Sequence, residues 1–296
     1  MRATSVLSTA LLCTLGADVR AQRRAEPIID VHLHAAPAPR PGAPAQAALD
    51  SIVPAEPTDQ AVRDSTLAIM RRLGVVRGVL SGSPARVAQW LDAAPGLFVG
   101  GIVLGTMFIP PDSLRAMHTA GRLGLMGEMQ PIYAGRSPAD SSLEPYYALA
   151  EELDIPAGIH MQGGGIATPG LRVAMGNPLL LEDVLVRHRR LRVDMMHAGY
   201  PYLAETIAIL RTYRNVYVDV ALIDWAIPTD EFYSYLQSLI RAGFADRIMF
   251  GSDAGARPRA IALALHNIEA APFLTTQQRR DILYDNAVRF FRLDVK

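Results

Sequence analysis

Lysine is almost absent from this sequence of 296 residues: Lys296 is the only one, and every other basic residue is an arginine. A lysine inside a fold can act as a general base, form a Schiff base with a carbonyl substrate or, once carbamylated, bridge two metal ions. No lysine before position 296 is available for any of these roles. Acid–base or metal chemistry in this chain must therefore use other side chains.

Cysteine and excess charge are also missing. The single cysteine, Cys13, lies in an amino-terminal segment that we expect to be removed, so the mature protein should contain neither thiols nor disulfides. The 29 basic and 29 acidic residues give a formal net charge of zero at pH 7. Because a nucleic-acid-binding surface needs a stripe of basic residues, we expect no nucleic-acid partner.

Residues 1–21 have the pattern of a secretory signal peptide. Arg2 supplies a positive charge, Val6–Leu15 an apolar stretch, and Val19–Ala21 a cleavage site with small residues. The apolar stretch is too short to serve as a stable anchor in a bilayer. We therefore expect export to the periplasm or the medium, a mature chain that starts at Gln22, and no membrane anchor after cleavage.

In residues 22–296, short runs rich in β-branched residues alternate with longer amphipathic segments. Eight such pairs in a single domain are typical of a (β/α)8 barrel, or TIM barrel, an α/β fold with parallel strands inside and helices outside. The predicted strands are Ile28–His34, Val75–Ser81, Leu97–Gly105, Gly124–Gln130, Ile155–Met161, Leu191–His197, Asn215–Ala221 and Arg247–Asp253. The predicted helices are Thr58–Leu73, Pro84–Ala93, Pro111–Ala120, Leu143–Leu153, Pro178–Arg189, Tyr202–Tyr213, Asp230–Ala242 and Arg257–Ala270.

Local residue preferences agree with several of these helix boundaries. Thr58 and Asp230 are predicted N-caps, because their side-chain oxygens can accept hydrogen bonds from the first free backbone N–H groups. Pro84, Pro111 and Pro178 suit the first turn of a helix, where no backbone donor is lost.

Two long segments show neither the two-residue repeat of a strand nor the repeat of about 3.6 residues of a helix. The proline-rich segment Ala35–Pro57 follows the first predicted strand, and Gln162–Asn177, which contains Gly163–Gly165, follows the fifth. Loops that follow the strands of a barrel lie at its catalytic end. We therefore expect both loops to shape a substrate pocket.

Metal-ligating residue types follow the predicted strands. In His32-Leu33-His34 the two imidazoles project from the same face of a strand, about 7 Å apart along it, within reach of one cation. A lone strand histidine is usually a core residue, and the helical His118, His188 and His266 are assigned to that structural class. Six residues at strand ends nevertheless form a set that suits zinc, manganese, iron or nickel: His32, His34, Glu128, His160, His197 and Asp253.

The order of these residues resembles that of a known group of proteins. Together with the phrases Ile29–His34, Met196–Gly199 and Phe250–Asp253, it is similar to the amidohydrolase superfamily of metal-dependent (β/α)8 hydrolases. The segment Asn286–Phe291 resembles the closing helix of the amidohydrolase-2 branch, which also contains decarboxylases. The resemblance covers essentially the whole mature chain.

The resemblance implies roles for the candidate ligands. His32, His34 and Asp253 would hold the more buried metal, while His160 and His197 would face a second metal or the substrate. If Glu128 bridges two metals the site is binuclear; if it points away the site is mononuclear, with His160 as the third histidine ligand. Zn²⁺ is the expected ion, one or two per chain, and Mn²⁺, Fe²⁺ and Ni²⁺ also fit the ligand types.

The ligand set suggests a reaction on a small-molecule substrate. We expect an exported hydrolase that cleaves an amide, ester or lactone with a metal-activated water, in which Asp253 is the general base and His197 or the metal polarises the carbonyl. A metal-dependent decarboxylase, a lyase, is the first alternative, and a non-catalytic metal-binding protein is the second. No oligomeric state is predicted.

Further polar and aromatic residues fall near the same rim. Asp219 is expected to hold a ligand histidine rather than to bind metal itself. Arg257 is expected either to pair with a carboxylate of the substrate or to be a solvated arginine at a helix start. The predicted substrate-binding residues are Gln130, Tyr133, Gln162, Tyr200, Trp225 and Arg257.

Overall fold

The computed structural model describes residues 26–40, 47–162 and 169–294. The predicted signal peptide with Cys13, the start of the mature chain at Gln22, and Gly163–Gly165 lie outside these ranges. Within them, eight parallel strands alternate with helices, as the sequence predicts for a TIM barrel. No helix in the described ranges is both long and apolar enough to cross a membrane.

The strands are short and the helices are amphipathic, as expected for strands enclosed by helices. The strands are β1 (Ile28–His34), β2 (Val75–Gly82), β3 (Phe98–Ile102), β4 (Met126–Met129), β5 (Ala157–His160), β6 (Val193–Met196), β7 (Val216–Asp219) and β8 (Ile248–Met249). The α-helices are α1 (Ala47–Ile52), α2 (Asp59–Leu73), α3 (Pro84–Ala93), α4 (Pro111–Thr119), α5 (Glu144–Glu152), α6 (Glu182–Arg187), α7 (Leu203–Thr212), α8 (Ile223–Ala226), α9 (Thr229–Arg241), α10 (Ala260–Ala270), α11 (Thr276–Arg280) and α12 (Asn286–Phe291).

The barrel consists of two sheets that meet at two junctions. One sheet has the order β1-β2-β3 and the other β4-β5-β6-β7-β8. At the β8/β1 junction the N–H of Val31 donates to the carbonyl of Phe250 at 2.9 Å, and that of His34 donates to the carbonyl of Ala254 at 3.1 Å. At the β3/β4 junction isolated bridges join Gly101 to Leu125 and Leu104 to Met129. A few backbone hydrogen bonds therefore close the barrel at each junction.

Apolar side chains pack on both sheets and join them. A cluster of buried residues contains Ile29 and Val31 from β1, Met249 from β8, and Phe290 from α12. The side-chain amide of Asn286, at the start of α12, donates to the carbonyl of Ile248 at 2.6 Å. The segment predicted to form a closing helix is thus helical and is attached to β8.

Most predicted helix starts are confirmed. The Thr58 side chain accepts a hydrogen bond from the backbone of Ala61 at 3.1 Å, and Pro84 and Pro111 occupy the first turns of α3 and α4. Pro178 instead begins a 3₁₀ turn, Pro178–Leu181, that leads into α6. The prediction for Asp230 is wrong. Because α9 begins at Thr229, directly after Pro228, Asp230 lies inside the first turn.

The first predicted strand has the observed bounds and the second ends one residue early, but the other six predicted strands are too long, most clearly the eighth. Only Ile248–Met249 of the predicted Arg247–Asp253 is a strand, because the N–H of Phe250 donates to the carbonyl of Ile282 at 2.8 Å rather than to a neighbouring strand. The residues that follow, Phe250–Ser252, are buried although they are not in a strand. A sequence pattern cannot distinguish such a buried segment from a longer strand.

The segment Ala35–Pro57 is not wholly a loop, because it contains the short helix α1. Asp50 on this helix accepts a hydrogen bond from Arg257, and Val53 just after it is 5% exposed. These tertiary contacts hold six helical residues that would be too few to form a stable isolated helix. The four-residue helix α8 was also not predicted from the sequence.

The close approach at the β3/β4 junction predicts that Gly101→Ala destabilises the barrel. A Cβ atom at Gly101 would lie 2.6 Å from the carbonyl oxygen of Gly127. This oxygen belongs to the backbone of β4, so it cannot move away unless the strand shifts. Overpacking of this kind costs roughly 1–3 kcal/mol, so thermal denaturation should show a melting temperature lower by several degrees.

Gly124→Ala is the matched control. Its Cβ atom would approach only a methyl group of the half-buried Val99 side chain, which is displaced more easily than a backbone carbonyl. An equal fall in melting temperature for the two variants would contradict the proposed tight junction.

Candidate metal centre

The ends of the strands bring all six predicted ligands to one rim of the barrel. Two come from the three-stranded sheet and four from the five-stranded sheet, so the cluster spans the β8/β1 junction. The six residues are His32 and His34 in β1, Glu128 in β4, His160 in β5, His197 directly after β6 and Asp253 after β8. The side chains of His34 and Asp253 are 17% and 18% exposed, and the other four are almost fully buried.

Two of these residues have an unusual backbone conformation. His197 and Asp253 have φ angles of 58° and 52°, in the left-handed region, and Ala198 follows with 52°. This conformation costs a non-glycine residue about 1–2 kcal/mol. Such strain persists only where surrounding contacts fix the backbone, and it occurs often at functional sites.

Glu128 lies among the four histidines. Its Oε1 accepts a hydrogen bond from Nδ1 of His160 at 2.7 Å, and its Oε2 lies 3.2 Å from Nε2 of His34. The Nε2 atoms of the other two histidines of the cluster lie 3.7 Å from the carboxylate. Gln130 donates to Oε2 at 2.7 Å. Glu128 therefore points into the cluster rather than away from it.

Asp219 holds two candidate ligands in place. Its Oδ2 lies 2.9 Å from Nδ1 of His32, and its Oδ1 accepts the backbone N–H of His197 at 2.9 Å and that of Ala221 at 3.0 Å. With Nδ1–H bound to a carboxylate, Nε2 of His32 carries the free electron pair. The contact predicted between Asp219 and a ligand histidine is present.

The donor atoms fit a divalent metal. Nε2 of His32 is buried and has no hydrogen-bond partner, and it lies 3.7 Å both from Oε2 of Glu128 and from Oδ1 of Asp253. A buried nitrogen left without a partner costs free energy unless a cation binds to it. The potential ligand atoms form two groups, each with its atoms within 4.8 Å of one another: His32, Glu128 and His197, and His32, His34 and Asp253.

The cluster is electrostatically suited to a cation. Burial raises the pKa of Glu128, but hydrogen bonds with His160 and other histidines hold it well below its usual range. Burial likewise opposes the charge of Asp253, whose pKa is lowered by the nearby His32 and His34. Burial lowers the pKa of His34, yet Asp253 and Glu128 raise it to about 9. Both carboxylates are therefore ionised at neutral pH.

A cavity of about 830 Å³ opens beside this cluster. Of the six predicted substrate-binding residues, five line it: Gln130, Tyr133, Gln162, Trp225 and Arg257. Tyr200 is not among the lining residues. The turn His197–Gly199 directs it towards α9, where its hydroxyl donates to Glu231 and its ring packs 5.3 Å from that of Tyr235.

Arg257 is not a solvated arginine at a helix start. It is 6% exposed, and one of its terminal nitrogens donates to Oδ1 of Asp50 at 2.6 Å. Asp50 was not predicted as a partner of Arg257, and Arg40, Arg86 and Leu222, which line the cavity, were not predicted either. For Arg40 and Asp50 the available signal was the length and position of the segment Ala35–Pro57. Arg86 lies in α3 and Leu222 just before α8, where no sequence pattern singled them out.

The histidines on predicted helices have structural contacts. Nε2 of His188 lies 2.9 Å from Glu144, and Nδ1 lies 3.4 Å from Glu151. Nδ1 of His118 lies 2.9 Å from the carbonyl of Leu123. Neither residue belongs to the metal cluster.

Solved structures with the same fold include proteins of different activities. An uncharacterised TIM-barrel protein from Bordetella bronchiseptica has 18% identity and a TM-score of 0.62 over 90% of this chain and 98% of its own. A putative 2-pyrone-4,6-dicarboxylic acid hydrolase from Pseudomonas putida has 20% identity and a TM-score of 0.62 over 91% and 99%. A 5-carboxyvanillate decarboxylase from Sphingomonas paucimobilis has 15% identity and a TM-score of 0.59 over 90% and 99%.

These likenesses establish the fold, a TIM barrel, at identities too low to carry over an activity. No curated protein matches the sequence. The sequence model of the amidohydrolase family, in the amidohydrolase-2 branch, matches residues 29–293, which is nearly the whole chain that follows the predicted signal peptide. The chain therefore belongs to the amidohydrolase family.

Proposed function

We propose that this protein is an exported, metal-dependent hydrolase that cleaves an amide, ester or lactone bond of a small molecule. Membership of the amidohydrolase family and the donor atoms at the barrel rim support this proposal. The observation that carries it is the position of Glu128, whose carboxylate faces all four histidines and so completes a second group of ligand atoms.

In this proposal the cluster holds two metal ions, with Zn²⁺ as the expected ion. His32, His34 and Asp253 would hold one, because the one free nitrogen of His32 can bind only one ion, and Glu128 and His197 would hold the second. A divalent ion there would lower the pKa of a bound water from about 15.7 towards about 7. The imidazole and carboxylate donors also suit Mn²⁺, Fe²⁺ and Ni²⁺.

Asp253 is the proposed general base. Its side chain lines the cavity, and hydrogen bonding with His34, whose Nε2 lies 2.9 Å from Oδ1, keeps the carboxylate oriented. Because its pKa is lowered, it is ionised and can accept the proton of the attacking water and then transfer it to the leaving group.

The two histidines next to Glu128, His160 and His197, take different positions. His160 lines the cavity and its buried Nε2 has no hydrogen-bond partner, whereas His197 does not line it. Nδ1 of His197 lies 2.9 Å from the carbonyl of Ala221, which leaves Nε2 with the electron pair a ligand needs. We assign His197 to metal binding and His160 to the side of the site that meets the carbonyl of the substrate.

The cavity also suits a substrate with a negative charge. Arg257, Arg86 and Arg40 line it, and an arginine guanidinium matches the geometry of a carboxylate. Arg257 and Arg86 each donate to a protein carboxylate, Asp50 at 2.6 Å and Asp59 at 2.8 Å, but a guanidinium has five N–H donors. Gln130, Tyr133, Gln162 and Trp225 supply further polar and aromatic contacts.

The first prediction concerns metal content. Elemental mass spectrometry of the purified chain should find two equivalents of divalent metal, and Glu128→Ala should reduce this to one because the second group loses its carboxylate. Glu269→Ala, an exposed glutamate on α10, is the control and should keep two.

Two other results would count against the proposal. One equivalent that is unaffected by Glu128→Ala would favour a mononuclear decarboxylase, which release of carbon dioxide from aromatic carboxylates would then identify. Absence of bound metal after reconstitution would exclude metal-dependent catalysis and favour a protein without this activity.

The second prediction concerns proton transfer. Asp253→Asn keeps the shape of the side chain but removes its basicity, and general base catalysis contributes roughly 10²–10⁴-fold to rate. The variant should therefore lose at least about 100-fold in kcat on the best amide, ester or lactone found by screening, while it retains substantial metal. Undiminished kcat would show that Asp253 is not the base.

A further inference from the structure

We propose that Asp30 and Ser252 are positioning residues that fix the carboxylate of Asp253 relative to His32 across the β8/β1 junction. This inference rests on the proposed function, in which His32 and Asp253 bind metal. Neither Asp30 nor Ser252 lines the cavity, and neither belongs to the two groups of potential ligand atoms.

Every hydrogen-bonding group of Ser252 is engaged. Its N–H donates to Oδ1 of Asp30 at 3.0 Å and its hydroxyl donates to Oδ2 of Asp30 at 2.6 Å. The hydroxyl also accepts the N–H of Ala254 at 3.2 Å, and the carbonyl accepts the indole N–H of Trp225 at 2.8 Å. Because Ser252 is fully buried, no water competes for these groups. The residue that precedes Asp253 is therefore fixed on both sides.

Asp30 connects this segment to the other sheet. Its Oδ1 also accepts the backbone N–H of His32 at 3.1 Å. One carboxylate therefore binds the backbone of His32, a candidate ligand in β1, and the backbone of Ser252, which precedes the candidate ligand Asp253. In addition, the N–H of Asp253 donates to the carbonyl of His32 at 2.8 Å. The relative position of the two ligands thus depends on bonds that cross the junction.

Asp253 needs such support more than a strand residue would. The strand β8 ends at Met249, four residues earlier, and near Asp253 an isolated bridge between Leu33 and Ala254 takes the place of a continuous ladder. Its φ of 52° costs about 1–2 kcal/mol. Without the hydroxyl of Ser252, the backbone can relax towards an ordinary conformation, and the carboxylate would turn away from His32 and His34.

Trp225 links the same segment to the cavity. Its ring lines the cavity while its indole N–H holds the carbonyl of Ser252. Trp225→Phe keeps an aromatic ring but removes this hydrogen bond together with the nitrogen-containing ring of the indole. It therefore tests the same support from the opposite side of Ser252.

The test uses the full mature chain reconstituted with Co²⁺, whose visible absorption reports the geometry of its ligands. Ser252→Ala should change the spectrum and weaken Co²⁺ binding roughly 10–100-fold, the usual loss when a group that orients a metal ligand is removed. Ser252→Thr, which retains a hydroxyl, should restore both, and Trp225→Phe should change the spectrum in the same direction.

Two comparisons separate this inference from the proposed function and from loss of stability. Thr66→Ala removes another buried hydroxyl, inside α2, and should leave the Co²⁺ spectrum unchanged. Asp253→Ala removes the carboxylate itself and should alter the spectrum. If Asp253→Ala alters it while Ser252→Ala and Trp225→Phe do not, the positioning role is wrong and the metal centre stands. If Asp253→Ala has no effect, the ligand set of the proposed function is wrong.

Where Ser252→Ala does not give a folded protein by circular dichroism, Trp225→Phe and Asp30→Asn provide the same readout. Asp30→Asn preserves the size of the side chain but not both of its acceptors. Wild-type spectra and Co²⁺ affinity in both variants would overturn the inference.

Discussion

Closure of the barrel between β8 and β1 is the constraint on which the candidate site depends. His32 and His34 belong to one sheet, whereas the other four candidate ligands belong to the second, so their donor atoms meet only if the sheets are held in register. Regular strand pairing does not provide this at the junction. Backbone hydrogen bonds from Val31, His34 and Asp253 to the opposite side provide it instead.

Buried carboxylates extend this control from the backbone to the side chains. Asp219 accepts hydrogen bonds from the ring of His32 and from the backbone of His197, so it sets both the proton position on one imidazole and the location of another. Burial would normally raise the pKa of Asp219, but the nearby His32 lowers it. Asp219 is thus kept ionised, and with its Oδ2 on Nδ1 of His32 the Nε2 atom of that imidazole faces the centre of the cluster.

The sequence was sufficient to predict the barrel and the six candidate ligands, because strand alternation and the His-x-His spacing are local properties of the chain. It could not reveal Asp30 with Ser252, since these residues are 222 positions apart and each is unremarkable in its own segment. Tyr200 was expected at the rim because it follows a strand, but the turn His197–Gly199 directs its side chain to α9. Asp50 and α1 were hidden because their contacts, rather than helical periodicity, hold them in place.

The ion pair between Arg257 and Asp50 has a consequence for the wall of the cavity. The arginine side chain is 7% exposed and the aspartate 42%, so dissolved ions reach one partner and not the other. Ala48 and Leu49, which neighbour Asp50 on α1, line the cavity. Because the 2.6 Å contact between these side chains is much shorter than the screening length of about 10 Å at 0.1 M salt, and one partner is buried, dissolved salt weakens this ion pair little. The part of the cavity wall that α1 provides is therefore held against changes in ionic strength.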